Sequence, residues 1–535
     1  MRERGTSPGS KVPAPSDLET AALSGTSIRP DRLEDVVDAG LVTMEQAEML
    51  VSRYRARMVP HFPFVVLAPE VTAARLRVEK PFLFLCILSV ASFDTLALQI
   101  RIGDVVRREV SDRMVSGDAI SIEVLQGLLV FIAWSHYHPR PCRYVQYLHL
   151  AISIVVDLRL DRSPTRNWTS IVGSSRDDAA PLPEWGADEQ RALAGCFYFS
   201  STTSHLLQKL KTFPYTPYLE RCCFSLLQRG EFPTDEHIYY AVQLQRIMET
   251  IDFDSLQHST QDEATAVVTN VRLQLQNFKT NLNFDLRQNN VLYMRYHTAE
   301  LFLCQAAFLD KAIHLDAHLH SELVYASFAA AKAVLEHYLS LPEGAETAFN
   351  HSEWIQIGFT LTVASRLTVA SHYQYRRLLN LPDLWHRLSR RMHALVTDQQ
   401  DDNGDRDLFF RNEQRLRGIQ AWFDRSAAQA WVGDTLDLGS AALPVPLPGQ
   451  VSGGAPLMAH AQMSQAMPPA SVPDINIIPT TGPSPLPHEP GLWDGDHPSP
   501  PLFQSASDQQ LQIPELFPES DLFFQDWGWS FPSTF

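Results

Sequence analysis

Beyond Arg425 the chain contains neither lysine nor arginine, and residues 426 to 535 carry eleven acids. The formal net charge of −17 is therefore concentrated at one end, and the rest is only mildly acidic. A phosphate-backbone binder needs a basic stripe. None runs along this sequence: the densest clusters, Arg101, Arg107, Arg108 and Arg387, Arg390, Arg391, read as solvated helix faces. Cysteine is scarce as well. The six, at positions 86, 142, 196, 222, 223 and 304, are irregularly spaced and mostly in apolar surroundings, which reads as reduced, buried thiols and not a disulfide framework. Uninterrupted apolar runs are short. The best membrane candidate, Pro81 to Ile102, is broken by Asp94 and Gln99 and bounded by Arg101, charges and dipoles that are costly in lipid, so a buried soluble helix is expected there. The stretch from Arg2 to Pro15 is polar with no apolar core and predicts neither a signal peptide nor a mitochondrial presequence.

Catalytic signatures are missing too. No Gly-x-Ser-x-Gly elbow follows a strand and no cysteine sits in a protease signature, so hydrolase chemistry is unsupported. The pair Gly453-Gly454 lies in a proline-rich tail and not between a strand and a helix, which removes the phosphate cradle. His136 and His138, two residues apart, would point about 200° apart on a helix and cannot chelate one ion there. His314, His318 and His320 gather near a helix start without a zincin glutamate. Asp401, Asp402, Asp405 and Asp407 approach the Asp-rich signature of a terpene cyclase, but their Asn- and Gly-containing context reads as a loop. Glu34, Asp35 and Asp38 precede the first helix, where acids favour the positive end of its dipole. The sequence thus predicts no catalytic, metal-binding or cofactor-binding residue, and no cofactor.

Helical periodicity is what the chain has in abundance. Thr43 with Gln46 forms a capping-box pattern, and Ala47, Leu50, Val51, Tyr54 and Met58 then recur at three- and four-residue spacing. That helix ends at Pro60, and His61 to Val66 predicts an extended apolar connector, because residues before proline avoid the helical region. Apolar helices are expected at roughly 80 to 98, 120 to 136 and 142 to 158, with a more polar one near 99 to 115. Residues 161 to 186, with Pro164, Gly173, Pro181 and Pro183, mark a surface insertion. A second series follows at 188 to 208, 216 to 227, 234 to 251, about 262 to 281, 286 to 314, 319 to 341, 351 to 380, 383 to 398 and 405 to 431. Strand signals are nearly absent, so the fold class is all-α, an irregular helical body over residues 29 to 432.

The flanks differ. Residues 1 to 28 are rich in Ser, Pro, Gly and Thr and are expected to be disordered. Half of the 36 prolines fall after Leu436, and residues 433 to 535 are expected to form a disordered acidic and aromatic tail. Its end interleaves acids with Leu516, Phe517, Leu522, Phe523, Phe524, Trp527, Trp529 and Phe531. Such a segment cannot offset its ordering entropy alone and predicts a docking peptide for a co-activator groove, with acids steering it to a basic rim. The alternatives are packing onto its own body, or solvated low complexity.

Several ordered motifs resemble one family. Pro60-His61-Phe62-Pro63-Phe64-Val65 followed by Glu79-Lys80-Pro81-Phe82-Leu83-Phe84-Leu85 is similar to the start of the regulatory, or middle homology, region of fungal zinc-cluster (Zn2Cys6-type) transcription factors. The order continues with Leu125 to Val130, Trp134, Tyr137 and His138, then Leu148 through Asp157-Leu158-Arg159-Leu160. Glu189 to Leu193, Gly195 to Tyr198 and Tyr215 to Leu219 fit the same subgroup, and the resemblance spans roughly residues 30 to 430. It implies a nuclear transcription regulator with a helical domain that restrains or dimerises it, and an activating tail. Partners would be co-activators and a homo- or heterodimer with a zinc-cluster protein. Many members control specialised-metabolite gene clusters. The departure is the DNA-binding module: that family's six-cysteine cluster has two Cys-x2-Cys pairs, this sequence has none, and adjacent Cys222 and Cys223 point about 100° apart on a helix. Its DNA-binding residues are therefore unknown; either the gene product lacks the cluster or a separate first exon supplies it. Two other readings remain open at this point, an interaction protein that modulates a zinc-bearing paralogue and a helical enzyme with an unrecognised site.

Overall fold

A computed structural model describes residues 35–116, 120–137, 144–164, 185–207, 211–307, 313–371, 373–401 and 404–437. Seventeen α-helices lie among these residues: α1 Met44–Arg53, α2 Ala73–Glu79, α3 Pro81–Ala91, α4 Leu96–Ser116, α5 Ile122–Ala133, α6 Tyr144–Asp157, α7 Ala187–Leu207, α8 Pro217–Arg229 and α9 Asp235–Glu249 in the first half. The second half holds α10 Phe253–Gln257, α11 Gln261–Thr280, α12 Asn290–Cys304, α13 Ala317–Ser340, α14 His351–Ala370, α15 Tyr373–Leu379, α16 Leu381–Leu395 and α17 Leu408–Asp437. The fold is all-α; the described residues contain no strand beyond an isolated bridge between Gln400 and Arg406. None of the described helices is long and apolar enough to cross a membrane. The expected insertion at 161 to 186 falls largely outside the described residues, as do residues 1 to 34 and everything after Asp437.

Local rules explain the starts of helices better than their ends. Thr43 caps α1 as its pattern predicts: Gln46 N donates to Thr43 Oγ1 at 3.1 Å, and Gln46 Oε1 accepts from Thr43 N at 3.0 Å. The connector after it is packed, with Phe62, Phe64 and Val65 fully buried, but it is not extended. A π-helix over Tyr54–Met58 is followed by turns, because Phe62 N bonds back to the carbonyls of Met58 and Val59 and Tyr54 Oη donates to Val65 O at 2.8 Å. The expected helix at 80 to 98 stops at Ala91, and the polar helix expected at 99 to 115 begins earlier, at Leu96. Its terminator comes from elsewhere in the chain: Arg53 Nη1 donates to Ala91 O at 2.7 Å while Nη2 pairs with Asp94 at 2.8 Å. The helix expected at 286 to 314 ends at Cys304 and starts only at Asn290, where Asn289 caps Leu292 N at 3.0 Å. The helix expected at 351 to 380 breaks after Ala370, and the one expected to end at 431 runs on to Asp437. Seven-residue α2 and five-residue α10 are too short to show a period and went unpredicted.

Two apolar cores share this body. The first gathers residues from Val36 to Val242 together with Leu408 of α17, the second residues from Leu206 to Ala427. Helices α7 and α9 feed both: Leu193, Phe197, Ile238 and Val242 enter the first, and Leu207, Leu244 and Met248 the second. In the first core α3 and α5 lie so close that a Cβ on Gly127 would stand 2.5 Å from Phe82 Cδ1. Gly195 plays the same part on α7, where a Cβ would meet Phe64 Cβ at 2.9 Å.

Three charged groups read as solvated or merely dipolar are in fact structural. Asp35 and Asp38 both pair with Arg77, the second at 2.6 Å, because α2 brings that guanidinium under the chain before α1. Arg391 is nearly buried: it pairs with fully buried Glu346 and donates to the carbonyls of Leu341 and Pro342, each at 2.8 Å. Arg101, Arg108 and Arg390 are exposed as expected. Cys86, Cys196, Cys222, Cys223 and Cys304 are buried and form no disulfide, also as expected, and burial pushes Cys304 up to about 12.

Candidate functional site

The two cores meet along a seam built around residues 344 to 356. Gly344 adopts φ +79°, a left-handed turn that presents carbonyls to the first half of the chain. Arg57 Nη2 donates to Thr347 Oγ1 at 2.7 Å and to Gly344 O at 3.2 Å. Tyr137 Oη donates to Thr347 O at 2.6 Å and Trp134 Nε1 to Ala348 O at 3.2 Å. Asn350 and Glu353 form a buried capping box at the start of α14, and each also reaches across: Asn350 Nδ2 donates to His61 O at 2.7 Å, and Glu353 Oε1 lies 2.8 Å from His61 Nδ1. Trp134 and Tyr137, named above among the family-like motifs, are buried and also carry this joint.

Helix α14 runs inward from the seam with Ser352, Glu353, Gln356, Thr360, Ser365 and Thr368 all buried. The hydroxyls of Thr360, Ser365 and Thr368 bond back to carbonyls four residues earlier, so they are satisfied within the helix. Gln356 is different. Its Nε2 lies 3.5 Å from Tyr198 Oη on α7, while its Oε1 is buried with no donor. Above the Tyr198 ring, 4.3 Å from its centroid, sits the guanidinium of Arg295 from α12. Arg295 is 5% exposed, and its Nε and Nη2 have no hydrogen-bond partner. Thr298 Oγ1, one turn further along α12, is buried and unpartnered too.

A buried guanidinium is ordinarily matched by a carboxylate, because desolvating an unpaired cation is expensive. Arg191, in the same body, shows the ordinary solution, with Asp235 accepting from Nε at 2.8 Å and from Nη2 at 2.9 Å. Around Arg295 the neighbour is instead His237, whose pKa is lowered first by burial and then by the Arg295 charge. Two unpaired N–H groups on one planar fork are complementary to an oxyanion. Farther along α7 and α9, Ser201 donates to Gln245 Oε1 at 3.1 Å and Gln245 Nε2 to Thr202 Oγ1 at 3.1 Å. His205 Nδ1 lies 3.4 Å from Ser201 Oγ but 2.8 Å from the Ser201 carbonyl, which can only accept, so Nδ1 carries the proton and does not serve as a base for Ser201. Burial pushes the adjacent Glu249 carboxyl up to about 7.

Among the described residues no three His, Cys, Asp or Glu side chains gather as a metal site. His136 stacks on His351 inside the seam, His138 lies outside the described residues, and His314, His318 and His320 are exposed around the start of α13. Asp401, Asp405 and Asp407 lie outside any helix before α17, Asp402 falls outside the described residues, and Asp407 serves as the cap for Phe410 N at 2.8 Å. Leu516, Phe517, Leu522, Phe523, Phe524, Trp527, Trp529 and Phe531 lie outside the described residues. Arg295 escaped the sequence reading, although a signal was present. Leu292, Arg295, Ala299 and Phe302 fall at three- and four-residue spacing on one stripe of α12, which places a charge at an apolar position.

An all-helical body whose ordered motifs run from the Pro60 connector to α8 defines a class, the middle region of a fungal zinc-cluster regulator. Residues 17–326 match the WAR1 C-terminal domain, and the chain belongs to that family of fungal transcription regulators. Transcription factor himD of Aspergillus japonicus is 39% identical over 426 residues, 76% of this chain and 71% of the relative. Transcription factor opdL of Penicillium oxalicum is 22% identical over 347 residues, 62% of this chain and 61% of the relative. Transcriptional regulator WAR1 of Candida albicans is 22% identical over 283 residues, half of this chain and 29% of the relative. No solved structure matches the chain.

Proposed function

We propose that this chain is a nuclear activator that controls a specialised-metabolite biosynthetic gene cluster. Its coarser part, transcription regulation, is supported by the family match over residues 17–326 and by a relative named as a transcription factor, aligned over 71% of its own length. The body acts as the regulatory and dimerising part, with the seam at 344 to 356 as its internal joint and Arg295 as the place where an oxyanionic effector is read. The tail recruits a co-activator through Leu516, Phe517, Leu522, Phe523, Phe524, Trp527, Trp529 and Phe531. Deleting the gene and profiling transcripts tests the target class: coordinated loss of one contiguous biosynthetic cluster is expected, and unchanged or scattered transcripts would refute it. Fusing residues 436 to 535 to a heterologous DNA-binding domain tests the tail. Reporter activation is expected, and its survival when Phe523, Phe524, Trp527 and Trp529 become alanine would defeat the role given to them.

A second reading is that the chain works on promoters through a zinc-bearing partner. A gel shift with the purified chain decides it. Specific retardation without any partner rules this second reading out.

A further inference from the structure

On the face of the first core, α7, α8 and α9 enclose an open cleft of about 530 Å³ lined by Gln190, Tyr218, Arg221, Phe224 and Tyr239 among others. That volume falls within the roughly 300–1,000 Å³ typical of small-molecule sites. Three of its walls are aromatic rings. Phe224 is 48% exposed, although Leu219, Cys222, Cys223 and Leu226 already make up the buried stripe of α8. Its ring stands edge-on to Tyr239 with centroids 6.3 Å apart. The Arg221 guanidinium lies over the Tyr218 ring, 5.4 Å from its centroid.

One polar group in this cleft is unsatisfied. Gln190 is 2% exposed; its Nε2 donates to the Trp185 carbonyl at 3.0 Å, and its Oε1 is buried with no donor. A buried acceptor without a donor costs free energy that a ligand O–H or N–H can recover. The neighbouring residue holds this wall rigid, since Arg191 is locked to fully buried Asp235 on α9 and lies over the Phe232 ring at 4.8 Å. The cleft is thus an aromatic slot, also lined by Glu220 and Ser225, with the unsatisfied Gln190 acceptor on its buried side. We propose that it binds a planar aromatic small molecule that presents an O–H or N–H donor to Gln190 Oε1 while its ring packs against Phe224 and Tyr239.

Equilibrium dialysis of the full chain against 2-naphthol and 2-methoxynaphthalene tests this, because the two share a ring system and only the first has a donor. One saturable site is expected for 2-naphthol, with the methyl ether about tenfold weaker, the worth of one hydrogen bond to a buried acceptor. Gln190→Met should erase the difference between the two ligands, and Phe224→Ala should weaken both about tenfold. No saturable binding, equal affinities in the wild-type chain, or a preference for 2-naphthol that persists in Gln190→Met overturns the proposal. Phe224 is an exposed side chain whose removal leaves the core intact, so undiminished 2-naphthol affinity in Phe224→Ala overturns it independently of how Gln190→Met folds.

Discussion

Replacing Arg295 by methionine should make this protein more stable. The guanidinium is 5% exposed with two N–H groups unpaired, and each buried unsatisfied donor costs about 1–3 kcal/mol. Its stacking on Tyr198 at 4.3 Å returns about 2 kcal/mol. Methionine keeps the unbranched stem among the same apolar neighbours and has no donors, so a net gain of about 2 kcal/mol is expected. Urea denaturation followed by far-UV circular dichroism should show a higher midpoint for Arg295→Met. Substituting sodium formate for sodium chloride at constant ionic strength should raise the wild-type midpoint and leave the variant unmoved, since a ligand bound only by the folded state stabilises it by mass action. A lower midpoint for Arg295→Met would mean that the guanidinium holds the helices together, and the reasoning that sets it aside for an oxyanion would fail.

Glu249 supplies a pH test. Its folded carboxyl is pushed by burial from 4.5 up to about 7, so between those values the folded state holds a proton that the unfolded chain releases. Stability from this group is complete below about pH 4.5 and declines as pH rises through 7. After discounting for its partial exposure the loss is about 1–2 kcal/mol, and Glu249→Gln should recover it above pH 7 but not at pH 4; a pH-independent effect in denaturation curves would contradict the assignment. Arg191→Met should cost about 3–5 kcal/mol, because it strands a fully buried Asp235 carboxylate, and a loss under about 1 kcal/mol in the same assay would show that Asp235 finds another partner. Gly195→Ala should cost about 1–3 kcal/mol through its contact with Phe64; an unchanged midpoint would mean that the connector yields.

Helices were legible where the cause was local. Thr43 and Gln46, three residues apart, announced α1, and the apolar spacing of α7 and α9 placed both helices to within two residues at their starts. The break after Ala91 was not legible. The apolar run continues past it, and the groups that end the helix, Arg53 against the Ala91 carbonyl and Asp94, include one 38 residues upstream. Arg391 misled for the same reason: three arginines in five residues look solvated until Glu346, 45 residues away, is brought beneath one of them. Arg295 lay between the two cases. Its place on the apolar stripe of α12 was visible in the spacing, but that no carboxylate would meet it depends on which faces of α7, α9 and α14 are turned toward it.

The seam has a consequence for how the molecule is made. His61 and Arg57 find their partners at residues 344 to 353, between 287 and 292 positions further along the chain. At about 5–20 residues per second, a ribosome needs on the order of 15–60 s to deliver that segment after the first has emerged. The His61 carbonyl waits through that interval with nothing to receive it, and Trp134 and Tyr137 wait for the last 210 to 214 residues of it. The long wait before these groups meet leaves them open to non-native contacts during synthesis, a hazard that the equilibrium stability of the finished body does not describe.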